Sequence, residues 1–244
     1  MNTEILATRL EMGGAAARAA TAFLRHALSQ QDTVRAIFAA APSQNEMLAA
    51  LREAEGIDWK RVVAFHMDEY IGLGPAAPQR FASFLKERLF DRLPFREVHL
   101  IDPEGSEPVK HYEALLKASP IDLVCLGIGE NGHLAFNDPP VADFDDPHWV
   151  KVVELDDICR QQQVNDGCFA AFDGVPKNAI TLTIPALFSG KRLICTVPGP
   201  TKRQAVVRTL NDPISTACPA TVLRNHAACS LFLDKDSAPS SKLP

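Results

Sequence analysis

Four short stretches of the chain combine residue types that move protons or hold anions. The first is His66-Met-Asp68-Glu69-Tyr70, two adjacent carboxylates following an apolar run that ends at Phe65. A carboxylate shielded from water where a chain leaves a sheet has its pKa raised toward the working pH, which suits proton abstraction beside a carbonyl. The same position also suits a turn-capping aspartate. The second stretch is Gly127-Ile-Gly-Glu-Asn131-Gly132-His133-Leu-Ala-Phe-Asn-Asp138. It matches G-x-G-x-x-G formally, but a dinucleotide fingerprint needs a helix opening at the last glycine. Pro139-Pro140 forbid that helix, so no nicotinamide cofactor is expected. The glycines instead predict a tight turn whose amides approach a ligand, with His133 and Asp138 displayed beside it. A histidine within reach of a carboxylate is equipped as a proton shuttle; the alternative is a structural histidine bonded to a loop carbonyl. The third stretch, Pro198-Gly-Pro-Thr-Lys202, opens a helix, and a lysine beside free amides suits a phosphate or is simply solvated. The fourth, Pro42-Ser43-Gln44-Asn45-Glu46, has capping-box spacing between Ser43 and Glu46 and adds negative charge where an anion would sit. No metal-ligand cluster, nucleophile elbow or Walker loop occurs, so no metal site is expected. Proton-transfer groups beside an anion pocket are the minimum equipment for an aldose–ketose rearrangement of a sugar phosphate.

The elements that must position these residues are legible from periodicity. Apolar or β-branched runs at 34–41, 61–67, 98–101, 121–127, 149–155, 179–184, 192–197 and 228–233 predict eight strands. Between them, three- and four-residue apolar spacing predicts helices at about 9–29, 44–54, 79–92, 107–118, 158–166 and 201–210. Strand–helix alternation implies an α/β fold with a doubly wound, mostly parallel sheet covered by helices on both faces. Ligands in such sheets sit outside the carboxyl ends of the strands, where all four stretches fall. The Pro- and Asp-rich segment 138–148 is the most irregular and is expected to border the site. No long linker or repeat interrupts the series, so residues 1–236 read as a single domain, with 237–244 a flexible tail.

With 244 residues, 46% of them hydrophobic and 23% charged, the chain has the composition of a folded globular protein. A net charge of −5 argues against nucleic acid and membrane partners and for a small molecule. Six cysteines without a C-x-x-C pair, and no apolar run of membrane-spanning length, lead us to expect a reduced, cytoplasmic compartment. The N-terminal segment reads as a helix rather than a signal peptide.

Five strings in this order resemble the glucosamine-6-phosphate deaminases (isomerases): Phe65-His-Met-Asp-Glu-Tyr-Ile-Gly-Leu73, Arg80-Phe-Ala-Ser-Phe-Leu85, Gly127 through Asp138, Val175-Pro-Lys-Asn-Ala-Ile-Thr-Leu182 and Gly199-x-x-Lys202. Related 6-phosphogluconolactonases usually carry Asp-Glu-Arg at the first site, so Tyr70 favours the deaminase branch. The resemblance implies release of ammonium from glucosamine 6-phosphate to give fructose 6-phosphate, with no cofactor. It implies Asp68 as the base that moves a proton between C2 and C1, and His133 as the group that opens the sugar ring. Asp138, where relatives generally have Glu, would orient that histidine, and Asn131 would assist ring opening. The substrate-binding set implied is Ser43, Gln44, Asn45, Glu69, Gly132, Arg160 and Lys202. The family includes monomers and hexamers, so an oligomer is compatible with it. Residues 42–46 depart from the family's Pro-Thr-Gly-Gly-Ser/Thr loop, lacking both glycines, and of the lid's arginine-rich pattern only Arg160 has an obvious counterpart. Those departures keep two alternatives in view: the same chemistry on galactosamine 6-phosphate or another amino-sugar phosphate, and a non-catalytic sugar-phosphate sensor.

Overall fold

The computed structural model describes residues 1–239. Seven strands, the central ones buried along their length and the edge strands β1 and β5 largely uncovered, build a wholly parallel sheet in the order β1-β10-β9-β6-β2-β3-β5. Its members are β1 (Asn2–Leu6), β2 (Val34–Phe38), β3 (Val62–His66), β5 (Glu97–His99), β6 (Leu123–Leu126), β9 (Arg192–Val197) and β10 (Cys229–Asp234). Alternate side chains along each strand point to opposite faces. Val34, Ala36 and Phe38 of β2 therefore pack with α1 (Arg9–Gln30), α2 (Asn45–Arg52) and α3 (Phe81–Arg88) on one face. Ile37 joins the opposite face with α4 (Pro108–Lys117), α6 (Ile184–Phe188) and α7 (Arg203–Asn211). Helices on both faces of a parallel sheet are the doubly wound arrangement expected.

Chain order reverses between β2 and β6: from β2 the chain builds outward through β3 and β5, and from β6 through β9 and β10. The connections leaving the carboxyl ends of β2 and β6 thus run in opposite directions and leave a crevice between them.

Two features differ from the expectation. Residues at the N-terminus form β1, an edge strand, before Thr8 caps α1 by accepting the Glu11 N–H at 3.1 Å. β1 has no clean apolar alternation, because it pairs only with β10 at the sheet edge and none of its residues is fully buried. The runs at 149–155 and 179–184 do not enter the parallel sheet. As β7 (Val150–Glu154) and β8 (Asn178–Leu182) they pair antiparallel with each other and with β4 (Asp68–Tyr70), in the order β4-β8-β7. β7 is only partly covered: Val150 and Val153 point to opposite faces and are buried in different clusters, while Val152 is 55% exposed, unlike the fully buried strands at the centre of the parallel sheet. Helix α5 (Asp157–Asn165) follows β7 and lies over the crevice.

At the start of the expected tail, Ser237 and Ala238 are buried, and the Ser237 N–H donates to Asp234 Oδ1 at 2.8 Å. The rest of the predicted tail, 240–244, lies outside the described residues. Among the described residues no helix is long and apolar enough to cross a membrane.

Candidate active site

The crevice holds a pocket whose walls come from the ends of four parallel strands. Ala39, Ala40, Ala41, Ser43 and Gln44 follow β2; Met67 and Asp68 follow β3; Gly127, Ile128, Gly129 and His133 follow β6; and Lys202 follows β9. Phe81 and Phe136 supply apolar wall, while Gln162 and Gln163 of α5 close the top.

The small antiparallel sheet registers the two proton-transfer groups against each other. Thr181 of β8 is the ladder partner of Asp68, and its Oγ1 accepts the Phe136 N–H at 3.0 Å. The next residue, Leu182, donates its N–H to the Met67 carbonyl at 2.8 Å and accepts from Asn137 Nδ2 at 2.8 Å. One strand thereby holds both the carboxylate after β3 and the loop after β6. Asp68 is 6% exposed, and burial, reinforced by the neighbouring Glu69 charge, pushes its carboxyl well above the ordinary aspartate range.

In the glycine loop His133, Asn131 and Asp138 form a closed hydrogen-bonded unit. His133 Nδ1 lies 2.9 Å from Asp138 Oδ1 and 2.9 Å from Asn131 Oδ1. Asn131 also accepts the His133 N–H at 3.0 Å and donates from Nδ2 to Asp138 Oδ1 at 2.9 Å. With two acceptors facing it, Nδ1 carries the proton, which leaves Nε2 as the atom that exchanges a proton with the pocket. Burial alone would raise the Asp138 carboxyl; the charge and hydrogen bond of His133, with those from Asn131 and the Asp156 N–H, outweigh it and hold the group below its usual range. Gly129 is required by the histidine rather than by a ligand, since a Cβ there would stand 2.2 Å from His133 Cε1. Gly132 turns the chain at φ +90°, where a Cβ would meet the Cys218 sulfur at 2.5 Å. No helix opens at Gly132, which agrees with the rejection of a dinucleotide site.

Lys202 is 4% exposed and has no carboxylate within 4.0 Å among the described residues; burial lowers its pKa despite Asp166 and Glu130 nearby. A desolvated, unpaired cation on a pocket wall is a strong attractor for an anion.

Other residues singled out from the sequence are placed elsewhere. Glu69 is fully buried and accepts the N–H groups of Tyr70, Phe81 and Ala82 at 3.0–3.1 Å, with Arg80 Nε at 3.3 Å, so it satisfies the start of α3. Asn45 accepts from Arg88 Nε at 2.8 Å, outside the pocket. Arg160 donates to the carbonyls of Phe172 and Val175 at 3.1 and 3.0 Å and stacks on the Phe172 ring. Gln44 does line the pocket, but it is fully buried and its Oε1 accepts the Thr196 hydroxyl at 2.9 Å, while Nε2 reaches Ser43 Oγ at 3.1 Å. The capping box does not form, because Glu46 pairs with Arg9 at 2.7 Å and faces away from the pocket. His66 ties β3 to the backbone after β5, its Nε2 accepting the Ile101 N–H at 2.7 Å, and burial pulls its pKa down to about 3. It is a structural group, not a proton carrier.

Gln162, Gln163 and Thr196 were not selected from the sequence; the run of glutamines at 161–163 is the one local sign of a polar helix face turned inward. Among the described residues the one cluster with metal-ligand chemistry is His133, Asp138 and Cys159, whose donor atoms lie within 4.8 Å of one another. Asp138 is already committed to His133 and Asn131 there, an arrangement suited to proton relay.

The chain matches the family described as glucosamine-6-phosphate isomerases/6-phosphogluconolactonase over residues 7–232. It is 36% identical over 184 residues to glucosamine-6-phosphate deaminases of Bacillus thuringiensis (strain Al Hakam) and Bacillus anthracis (strain A0248), covering 74% of this chain and 68% of each relative. Among solved structures it is similar to a monomeric glucosamine-6-phosphate deaminase at TM-score 0.88 and 25% identity, covering 97% of this chain and 98% of that one. A 6-phosphogluconolactonase from Thermotoga maritima shares the fold at TM-score 0.78 and 19% identity, covering 96% and 99%.

Proposed function

Because the chain belongs to the family of glucosamine-6-phosphate isomerases and 6-phosphogluconolactonases, we propose that it converts glucosamine 6-phosphate and water to fructose 6-phosphate and ammonium. The observation that carries this reading is the convergence of a desolvated carboxylate, a carboxylate-backed histidine and an unpaired buried lysine on one pocket.

The phosphate takes the charge of Lys202. His133 Nε2 removes the proton of the C1 hydroxyl and returns it to the ring oxygen, opening the pyranose. The imidazolium formed in transit is balanced by Asp138 through Nδ1–H, and Asn131 fixes the ring orientation. Asp68, in its ionised form, takes the proton from C2 of the open-chain amino aldose while the substrate's own ammonium group gives a proton to the C1 carbonyl oxygen, so that a neutral enolamine forms; Asp68 then delivers its proton to C1. The product is an iminium at C2; water adds there, a proton passes from the added water to nitrogen, and nitrogen leaves as ammonium while the C2 carbonyl forms. A base with a raised pKa serves both halves of the C2-to-C1 transfer, since it must hold the proton as readily as it takes it.

Gln44, standing where the family has glycine and tied to Thr196, offers a side-chain amide at the phosphate loop in place of bare backbone. That substitution is the reason to test the C4 epimer alongside. The experiment measures ammonium release from glucosamine 6-phosphate, galactosamine 6-phosphate and unphosphorylated glucosamine, with hydrolysis of 6-phosphogluconolactone in parallel. Ammonium from glucosamine 6-phosphate in preference to the others is expected. Lactone hydrolysis without ammonium release from any amino sugar refutes the reading.

A further inference from the structure

Helix α5 carries three consecutive glutamines, and the fold uses each differently. Gln161 is exposed and donates to Asn165 Oδ1 at 3.1 Å. Gln162 is fully engaged, its Oε1 accepting the Glu130 N–H at 2.8 Å and its Nε2 donating to Asp166 Oδ2 at 3.2 Å. Gln163 is 6% exposed and lines the pocket, and its Oε1 accepts the Tyr70 hydroxyl at 2.8 Å. Tyr70 is itself fully buried, with its ring packed 4.7–5.4 Å from those of Phe81, Phe136 and Phe169. With its oxygen accepting the Tyr70 hydroxyl, the Gln163 amide keeps its NH2 uncommitted, on a side chain that lines the pocket. The NH2 has no hydrogen-bond partner among the described residues and is not sealed within the protein. It is a pre-oriented donor with nothing to donate to, and an amide nitrogen can only donate. Lys202 faces the same helix, near Cys159 and Asp166.

We propose that Gln163 reads the phosphoryl end of the substrate, donating from Nε2 to a phosphate oxygen that Lys202 also engages, with Tyr70 as the residue that positions it. The inference rests on the sugar-phosphate reading above and adds a recognition group to it. Beside the charge of Lys202, α5 would then contribute a neutral donor to the dianionic group.

Q163E is the decisive variant, because a carboxylate keeps both the size and the acceptor for Tyr70 while replacing the donor with a charged oxygen. We expect the KM for glucosamine 6-phosphate to rise about tenfold or more, with kcat within about twofold of wild type. The Kd for inorganic phosphate, by calorimetry, should rise in parallel, while the affinity for unphosphorylated glucosamine stays unchanged. Y70F, which frees the amide to rotate, should raise KM about threefold, again without a matching loss in kcat. If Q163E does not fold, Q163M removes the donor at similar volume and should raise the phosphate Kd about threefold. A phosphate Kd in these variants equal to wild type overturns the proposal, as does an equal loss of affinity for phosphorylated and unphosphorylated sugar, or a wild-type protein that binds no phosphate. Wild-type protein that binds glucosamine 6-phosphate without releasing ammonium removes the deamination reading alone, and the ratio of Kd values still decides the role of Gln163.

Discussion

Asp68→Asn should trade activity for stability, and the trade should depend on pH. The wild-type carboxyl is almost wholly buried, and burial first, then the Glu69 charge, push its pKa well above the ordinary value. The folded protein therefore holds this proton more tightly than the unfolded chain, where an aspartate titrates near about 3.9. Between those two pKa values the native state binds more protons, so stability falls as pH rises, by up to about 1.4 kcal/mol per pH unit for one group. Asparagine has no proton to lose. The difference in unfolding free energy between Asp68→Asn and wild type should therefore grow in favour of the variant from pH 5 toward pH 7, reaching about 1–3 kcal/mol. Urea unfolding followed by far-UV circular dichroism at pH 5, 6, 7 and 8 measures it, and other titrating groups largely cancel in the difference. Ammonium release should fall about 10²–10⁴-fold in the same variant. A free-energy difference that is flat across pH would refute the desolvation argument, and wild-type turnover would refute Asp68 as the base.

Three further outcomes test the remaining parts of the site. Gly129→Ala places a Cβ 2.2–2.4 Å from His133 ring atoms, so kcat should drop about tenfold or more with an unchanged circular dichroism spectrum; a wild-type kcat would mean the ring does not lie there. Asp138→Asn removes the charge that balances His133, and kcat should fall about 10²–10⁴-fold. The wild-type Asp138 carboxyl is held below its usual range, so its stabilising contribution is present at neutral pH and lost as pH falls through that lowered pKa. Acid unfolding of wild type should show this loss, and Asp138→Asn should lack it. Lys202→Met should raise the KM for glucosamine 6-phosphate about 10- to 100-fold and also raise the melting temperature, since it removes a desolvated cation that has no carboxylate partner. A lower melting temperature would show that the lysine is compensated in the folded state.

The parts of the site readable from the sequence are those fixed by chain direction. A parallel strand followed by Asp68, by His133 and Asp138, or by the turn to Lys202 must deliver that residue to the carboxyl edge, whatever packs around it. The residues whose direction was not legible in the sequence are those that turn to a distant neighbour. Asn45 turns to Arg88, 43 residues away, and Arg160 turns to the carbonyls of Phe172 and Val175. Glu69 stands beside Asp68, yet in a strand successive side chains face opposite ways, so one enters the pocket and the other meets the start of α3.

By itself the sequence determined a doubly wound parallel sheet and which residue types reach its carboxyl edge, because hydrophobic periodicity and chain direction are local properties. Only the tertiary structure decided that β8 would clamp Asp68 and the His133 loop together, that Gly129 would serve the histidine ring, and that Gln163 rather than Arg160 would face the pocket. The physical reason is hydrogen-bond satisfaction: a buried polar side chain turns toward whichever unpaired partner folding brings within about 3 Å, and that partner is usually far away in the chain.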